Sequence, residues 1–197
     1  MPREALVKID NDIPFEHAAL FGCGVVTGVG AVINTANARE EDSVAIVGLG
    51  GVGLSALLAS LAVGSKKTIA IDLSDEKLTL ARELGADHTL NPKDENFLEE
   101  MRDLTFGGAN IAIETAGSGR ALETAYEITR RGGTTVAAGM PGPGVNITLP
   151  HLSIAAEERV LKGSYMGSCV AQRDIPKYLN MFQTGKLPVD RLLSRKI

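Results

Sequence analysis

The glycine-rich run at 48–53 is the part of the chain whose spacing most directly suggests chemistry. It has the pattern GxGxxG: Gly48 permits a tight turn, Gly50 lets a ligand approach the backbone, and Gly53 lets a helix pack closely on a strand. A helix beginning here would offer free N–H groups and positive potential at its N-terminus. The alternative is a structural turn in a fold that has lost its ligand. The context favours a site for the pyrophosphate of a dinucleotide, formed by Gly48, Gly50, Gly51, Val52 and Gly53.

An acidic residue follows the glycine run at the distance expected for a ribose contact. Asp72 lies 19 residues beyond Gly53, and a carboxylate there accepts hydrogen bonds from the adenosine ribose hydroxyls. The same charge repels a 2′-phosphate, and no arginine follows closely, so the sequence predicts NAD rather than NADP. The alternative for Asp72 is a turn or helix-capping role beside Ser74. Lys77, one turn into the next helix, either reaches the same ribose or is a solvated surface lysine.

Short apolar runs alternate with amphipathic stretches, which is typical of a parallel sheet with crossover helices. Strands are predicted at 43–48, 68–72, 88–91, 111–114, 134–138 and 160–166. Helices are predicted at 51–63, 74–85, 95–104, 120–130 and 174–184, and a less regular region follows the Pro/Gly loop at 139–144. These elements predict an α/β fold of the Rossmann type, a doubly wound parallel six-stranded sheet with helices on both faces and the order 3-2-1-4-5-6. The whole chain, 1–197, is predicted to be a single domain, with residues 1–40 as a helical segment leading into the sheet.

Composition excludes several other classes of protein. The net charge of -4 argues against a general nucleic-acid surface, which needs an excess of basic residues. No uncharged apolar stretch approaches the roughly 20 residues needed to span a bilayer, and the first residues lack the order of a signal peptide. Cys23 and Cys169 are the only cysteines and are too far apart in sequence to suggest a disulfide framework. We therefore expect a cytoplasmic protein with no membrane or nucleic-acid partner.

The motifs together resemble the zinc-type medium-chain alcohol dehydrogenases. The segments that carry the resemblance are 21–31, 47–54, 71–72 with Lys77, 84–87, 114–117 and 161–163. They extend over nearly the whole chain, but they correspond only to the cofactor domain of that family. The resemblance implies an NAD-dependent alcohol dehydrogenase, in which zinc assists hydride transfer between an alcohol or aldehyde and NAD(H).

The resemblance also implies roles for residues that spacing alone does not single out. Two backbone segments are expected beside the nicotinamide: Ala138, Gly139 and Met140, and then Ser164, Tyr165 and Met166. Thr27 is similar to a threonine packed beside the nicotinamide ring. Cys23 matches the one catalytic zinc ligand that the cofactor domain contributes, although a lone cysteine is more often structural. The histidines His17, His88 and His151 are assigned no role.

The catalytic part of the family, with its remaining zinc ligands and proton relay, is missing from this sequence. We therefore expect the isolated chain to bind NAD(H) without being catalytically complete. Two alternatives stay open: a stand-alone NAD(H)-binding regulatory module, and a zinc-free quinone or enoyl reductase of the same superfamily. Asp72 and Cys23 both argue against the reductase, which usually favours NADP(H).

The sixth predicted strand has a further implication. In the family that this chain resembles, the strand is a sheet edge that pairs with its twin across a twofold axis. An exposed edge at 160–166 therefore predicts a homodimer, whereas a protected edge would leave a monomer.

Overall fold

The fold is a parallel sheet wrapped by helices, described by a computed structural model for residues 6–193. The first five and last four positions of the predicted domain, including the start of the 1–40 segment, lie outside the described residues. The strands are Ser43–Val47 (β1), Lys67–Ile71 (β2), His88–Leu90 (β3), Ala109–Glu114 (β4), Thr129–Ala137 (β5) and Val160–Gly163 (β6). The helices are Phe15–Ala18 (α1), Gly24–Gly30 (α2), Gly51–Val63 (α3), Asp75–Leu84 (α4), Phe97–Thr105 (α5), Gly119–Glu127 (α6), His151–Ala156 (α7) and Ala171–Gln183 (α8).

The strand order is β3-β2-β1-β4-β5-β6, with every neighbouring pair parallel. This confirms the predicted doubly wound sheet. The order reverses between β1 and β4, whose carboxyl ends lie side by side in register from Val44 with Ile111 to Val47 with Glu114. A crevice outside the strand ends at such a point is where open α/β sheets bind ligands.

Helices cover both faces of the sheet, as predicted. Along β1, Val44 and Ile46 join one hydrophobic core, whereas Ala45 and Val47 join another. The first core includes residues of α2, α3, α4 and α8, and the second includes residues of α5 and α6. All five residues of β1 are buried, as expected for a strand covered on both faces, which cannot show a polar alternation.

Several predicted boundaries were wrong by a few residues or more. The sixth strand ends at Gly163 rather than 166, because the backbone turns into a left-handed conformation from Met166. β5 begins at Thr129 rather than 134, with a register irregularity where it pairs with the start of β4. α6 ends at 127 rather than 130, α8 begins three residues early at Ala171, and the region predicted as less regular contains the short helix α7.

The segment before the sheet folds onto α3. α2 continues directly into a π-helical stretch, Ala31–Ala36, that ends at Asn37 in a left-handed conformation. A Cβ placed on Gly28 would collide with the carbonyl oxygen of Val52, so the two backbones approach closely.

Within the described chain no single helix is long and apolar enough to span a membrane. One bent pair of helices, Phe15–Gly22 with Gly24–Ala36, meets the requirements for a membrane span together, by length and composition only.

Candidate functional site

The glycine loop lies where β1 ends and α3 begins, at the point where the strand order reverses. Gly48 has a φ of 94° and packs against Ala116, and a Cβ on Gly53 would collide with the carbonyl oxygen of Gly48. Gly50 and Gly51, by contrast, have no atom within 4 Å of an added Cβ. The first and last glycines are therefore required by the fold, whereas the middle two leave the loop backbone open to a ligand. This opening at the N-terminus of a 13-residue helix fits a dinucleotide pyrophosphate.

The carboxylate of Asp72 is held at the rim of the glycine loop. One oxygen accepts a hydrogen bond from the Leu49 N–H at 2.7 Å, and the other accepts one from the Ser74 N–H at 2.9 Å. The ammonium group of Lys77 lies 3.5 Å from Asp72 Oδ2. Ser74 in turn caps α4 by accepting a hydrogen bond from the Lys77 N–H. Asp72 thus makes a turn contact, and it joins the loop after β2 to the loop after β1.

A cavity of about 830 Å³ adjoins these residues. Gly48, Asp72 and Lys77 line one part of it, and Ala116 and Ser118 from the loop after β4 line another. Its remaining walls come from the loop between β3 and α5, the start of α5, and α6, and include Pro92, Phe97, Leu98, Arg120, Ala121 and Thr124. The volume lies within the range of small-molecule sites. The mixture of apolar walls and a charged rim suits a nucleoside.

The segments predicted to line the nicotinamide lie beyond the ends of β5 and β6. The Ser164 N–H donates to the Ala137 carbonyl at 2.8 Å, which joins the ends of these two strands. A Cβ on Gly117 would come within 2.7 Å of the Met140 carbonyl oxygen, so the loop after β4 packs on the loop after β5. The Met140 side chain itself is mostly exposed.

Thr27 joins α2 to the segment after β6. Its hydroxyl lies 3.8 Å from the sulfur of Met166 and donates to the Cys23 carbonyl at 2.8 Å. Thr27 is buried, and its contact with Cys23 is to the backbone one helical turn earlier, not to the thiol. The structure therefore brings together Thr27 and Met166, two residues from distant segments that the family resemblance places beside the nicotinamide.

Cys23 has an exposed, free thiol at the start of α2. Among the described residues no group of three or more His, Cys, Asp or Glu side chains could hold a metal ion. A catalytic zinc normally has three protein ligands, so the described chain does not by itself form a zinc site. His17, which was assigned no role, packs edge-on against the ring of Phe182.

Glu114 is a residue of this region that sequence reasoning did not assign. Its side chain is buried at the end of β4, where Oε1 accepts a hydrogen bond from the Gly117 N–H at 2.6 Å. Burial raises the pKa of the Glu114 carboxyl, while hydrogen bonds from backbone N–H groups, first that of Gly117, act in the opposite direction. The Ala138 and Gly139 N–H groups both donate to the Glu114 carbonyl. Glu114 therefore connects the loops after β4 and β5. The available signal was an acidic residue directly after the apolar run at 111–113.

A family model described as "Zinc-binding dehydrogenase" matches residues 51–184. Geraniol dehydrogenase of Castellaniella defragrans is 37% identical over 190 residues, which cover 96% of this chain and 51% of the relative. S-(hydroxymethyl)glutathione dehydrogenase of Paracoccus denitrificans is 32% identical, over 100% of this chain and 54% of the relative. The chain thus spans about half the length of the curated relatives it matches.

Solved structures agree with these relatives. Benzyl alcohol dehydrogenase from Acinetobacter calcoaceticus superposes with a TM-score of 0.91 at 33% identity, over 94% of this chain and 51% of that one. An alcohol dehydrogenase zinc-binding domain protein from Burkholderia ambifaria superposes with a TM-score of 0.90, also at 33% identity, over 94% and 50%. The fold and the sequence thus point to the same group of proteins.

Proposed function

The chain belongs to the zinc-binding dehydrogenase family, and we propose that it is the NAD(H)-binding half of a zinc-dependent alcohol dehydrogenase. The whole protein would transfer hydride between NAD and an alcohol or aldehyde. The observation that carries this proposal is the open glycine loop with the Asp72 carboxylate fixed at its rim. Relatives named for geraniol and benzyl alcohol support an alcohol as the substrate class.

The glycine loop would bind the pyrophosphate of NAD(H). Gly50, Gly51 and Val52 would present backbone N–H groups at the N-terminus of α3, where the helix dipole favours negative charge. Gly48 and Gly53 would shape the loop rather than contact the phosphates, since neither has room for a side chain.

Asp72 would select the cofactor by its charge. Each carboxylate oxygen can accept more than one hydrogen bond, so both remain able to accept from the ribose hydroxyls while holding Leu49 and Ser74. A 2′-phosphate would meet the same negative charge, which disfavours NADP(H). Lys77, already 3.5 Å from the carboxylate, would donate to the same ribose.

The other half of the cofactor would lie along the loops after β5 and β6. Bound nicotinamide supplies the chemistry, by accepting or donating a hydride. Ala138, Gly139 and Met140 would line one side of the ring, and Ser164 and Met166, with Thr27 behind Met166, would line another. These residues orient the ring and exclude water from it, and positioning of this kind is a large part of the protein's contribution to hydride transfer.

Cys23 would contribute one thiolate to the zinc of the complete protein. Its exposed thiol has no partner ligands among residues 6–193, so the other ligands would come from outside the described chain.

Calorimetric titration of the chain with NADH and then NADPH tests the proposal. We expect saturable NADH binding and at least roughly tenfold weaker NADPH binding, because the Asp72 carboxylate repels the 2′-phosphate of NADPH. Asp72→Asn, which removes the charge and keeps the size of the side chain, should remove this preference. Asp87→Asn is a matched control, because Asp87 also accepts from a backbone N–H, that of Thr68 at 2.7 Å, but at the opposite end of β2. A folded chain that binds neither cofactor would refute the proposal and leave the fold intact.

A further inference from the structure

An unusual backbone turn follows β6. Met166, Gly167 and Ser168 have φ values of 49°, 65° and 49°, so three consecutive residues adopt the left-handed region. For residues other than glycine this conformation costs free energy, and it persists only where the surroundings enforce it. The turn carries Met166, which contacts Thr27 on the proposed nicotinamide side.

Two side chains from distant parts of the chain hold this turn. Asn34, in the π-helical stretch after α2, donates from Nδ2 to the Gly167 carbonyl and to Asp174 Oδ2, both at 3.2 Å. Asp174 also accepts from the Val170 N–H at 2.8 Å, just beyond the turn. The Asp174 carboxylate is buried and is paired with Arg173 at 2.6 Å. Asn34 thus holds the turn directly, while Asp174 orients Asn34 and fixes the chain that leaves the turn.

Further contacts hold the turn from other sides. The Thr35 hydroxyl lies 2.7 Å from Ser164 Oγ and 2.9 Å from Ser168 Oγ, on either side of the turn. Gly167 packs directly on Gly30, where a Cβ on either glycine would collide with the other's backbone. The Asn34 hydrogen bonds can be removed by a side-chain substitution that leaves Gly30 and Gly167 in place.

We propose that Asn34 and Asp174 are positioning residues for the nicotinamide: they hold the left-handed Met166–Ser168 turn and thereby place Met166 beside the ring. This inference rests on the proposed NAD(H)-binding function. It assigns control over only the nicotinamide half of the cofactor site to a polar pair, half-buried Asn34 and buried Asp174, neither of which belongs to the glycine loop. Loss of the pair lets the turn relax and withdraws Met166, while the loop and Asp72 keep their geometry.

The test compares NADH with ADP-ribose, which lacks the nicotinamide, by calorimetric titration of the full chain. We expect the unaltered chain to bind NADH more tightly than ADP-ribose. Asn34→Ala should weaken NADH binding roughly fivefold, about the effect of one lost hydrogen bond, and leave ADP-ribose binding unchanged. The fluorescence emission of NADH bound to the Asn34→Ala variant, excited at the reduced nicotinamide, should shift toward the emission of free NADH. Asp174→Asn, which preserves side-chain size, should act in the same direction and serves if Asn34→Ala does not fold.

Asn110→Ala is the matched control. The Asn110 side chain accepts from the backbone N–H and the hydroxyl of Ser43 at the amino end of the sheet, so its loss removes similar bonds far from the turn. It should change neither ligand's affinity. Equal weakening of both ligands, or of neither, by Asn34→Ala would overturn the positioning role. So would an unaltered chain that binds ADP-ribose and NADH equally, although dinucleotide binding would then survive. An unaltered chain that binds neither ligand would overturn the proposed function as well.

Discussion

Single residues of the glycine loop separate ligand binding from folding. Gly50 faces open space with an ordinary extended backbone, whereas Gly53 abuts the Gly48 carbonyl. We expect Gly50→Ala to weaken NADH binding at least roughly tenfold, because its methyl group occupies the approach path of the pyrophosphate. The poorer helix cap should cost about 1 kcal/mol of unfolding free energy. Calorimetry and urea unfolding of the same samples measure both effects. Undiminished NADH affinity would show that the phosphates do not approach this loop.

Asp174 gives a prediction about acid stability. Its hydrogen bond with the Arg173 guanidinium holds the pKa of the Asp174 carboxyl below its usual 3.8, with a smaller contribution from the Val170 N–H. Stability that depends on the carboxylate is therefore present above pH 3.8 and is lost as the pH falls through the lower folded-state pKa. Asp174→Asn lacks this titration. We expect the variant to be less stable at neutral pH and the difference to shrink below pH 3.8, as measured by urea unfolding. A difference that is constant with pH would contradict this account.

The residues that the sequence singled out are placed by local spacing, whereas those that it missed are placed by contacts between segments far apart in the sequence. The glycine loop and Asp72 were predictable because a strand, a turn and a helix place them through local spacing. Asn34 and Asp174 are 140 positions apart, and neither type of residue is unusual where it stands. Only the packing of α2 against the chain after β6 brings them together.

Among the elements, α2 shows how backbone packing can outweigh helix propensity. Replacing glycine by alanine inside a helix usually stabilises it by about 0.5–1 kcal/mol. At Gly30, the last residue of α2, a Cβ would collide with the backbone of Gly167, whereas Gly24 at the other end has no atom within 4 Å of an added Cβ. We therefore expect Gly30→Ala to lower the unfolding temperature and Gly24→Ala to maintain or raise it. Thermal unfolding followed by circular dichroism measures the unfolding temperature of both variants. Equal shifts would show that the close contact of Gly30 with Gly167 does not determine the effect of the substitution on stability.

The end of an element could be predicted from the sequence where hydrogen bonds and backbone conformation within that element determine it. Gly64 and Gly85 end their helices in left-handed conformations, as their positions predicted. The end of β6 did not follow, because residues 164–166 include no glycine, proline or charged residue that would end a strand. Its turn is imposed by Gly167 packing on Gly30, a contact between distant elements.

For the whole molecule, β6 leaves one edge of the sheet unpaired among the described residues. All four of its residues are exposed, and Val160 and Leu161 keep 40% and 41% of their surface. An exposed apolar edge of this kind favours strand pairing with another chain, which supports the homodimer that the family resemblance implies. The Ser164 N–H faces β5, and alternate residues of a strand direct their N–H groups to the same side. The Leu161 N–H therefore faces the open edge.

This geometry makes Leu161→Pro a selective test of dimerisation. Proline is tolerated on an edge strand where its missing N–H would face solvent, so pairing with β5 should survive. Pairing with a second copy should not, because the donor at the centre of the edge is lost. We expect the unaltered chain to sediment as a dimer and Leu161→Pro as a folded monomer over the same concentration series. Leu161→Ala, which keeps the N–H and removes most of the apolar surface, should weaken the dimer less. If the alanine variant dissociates as completely as the proline variant, the association depends on apolar burial rather than on strand pairing. An unaltered chain that is already monomeric would show that this edge does not form a dimer at all.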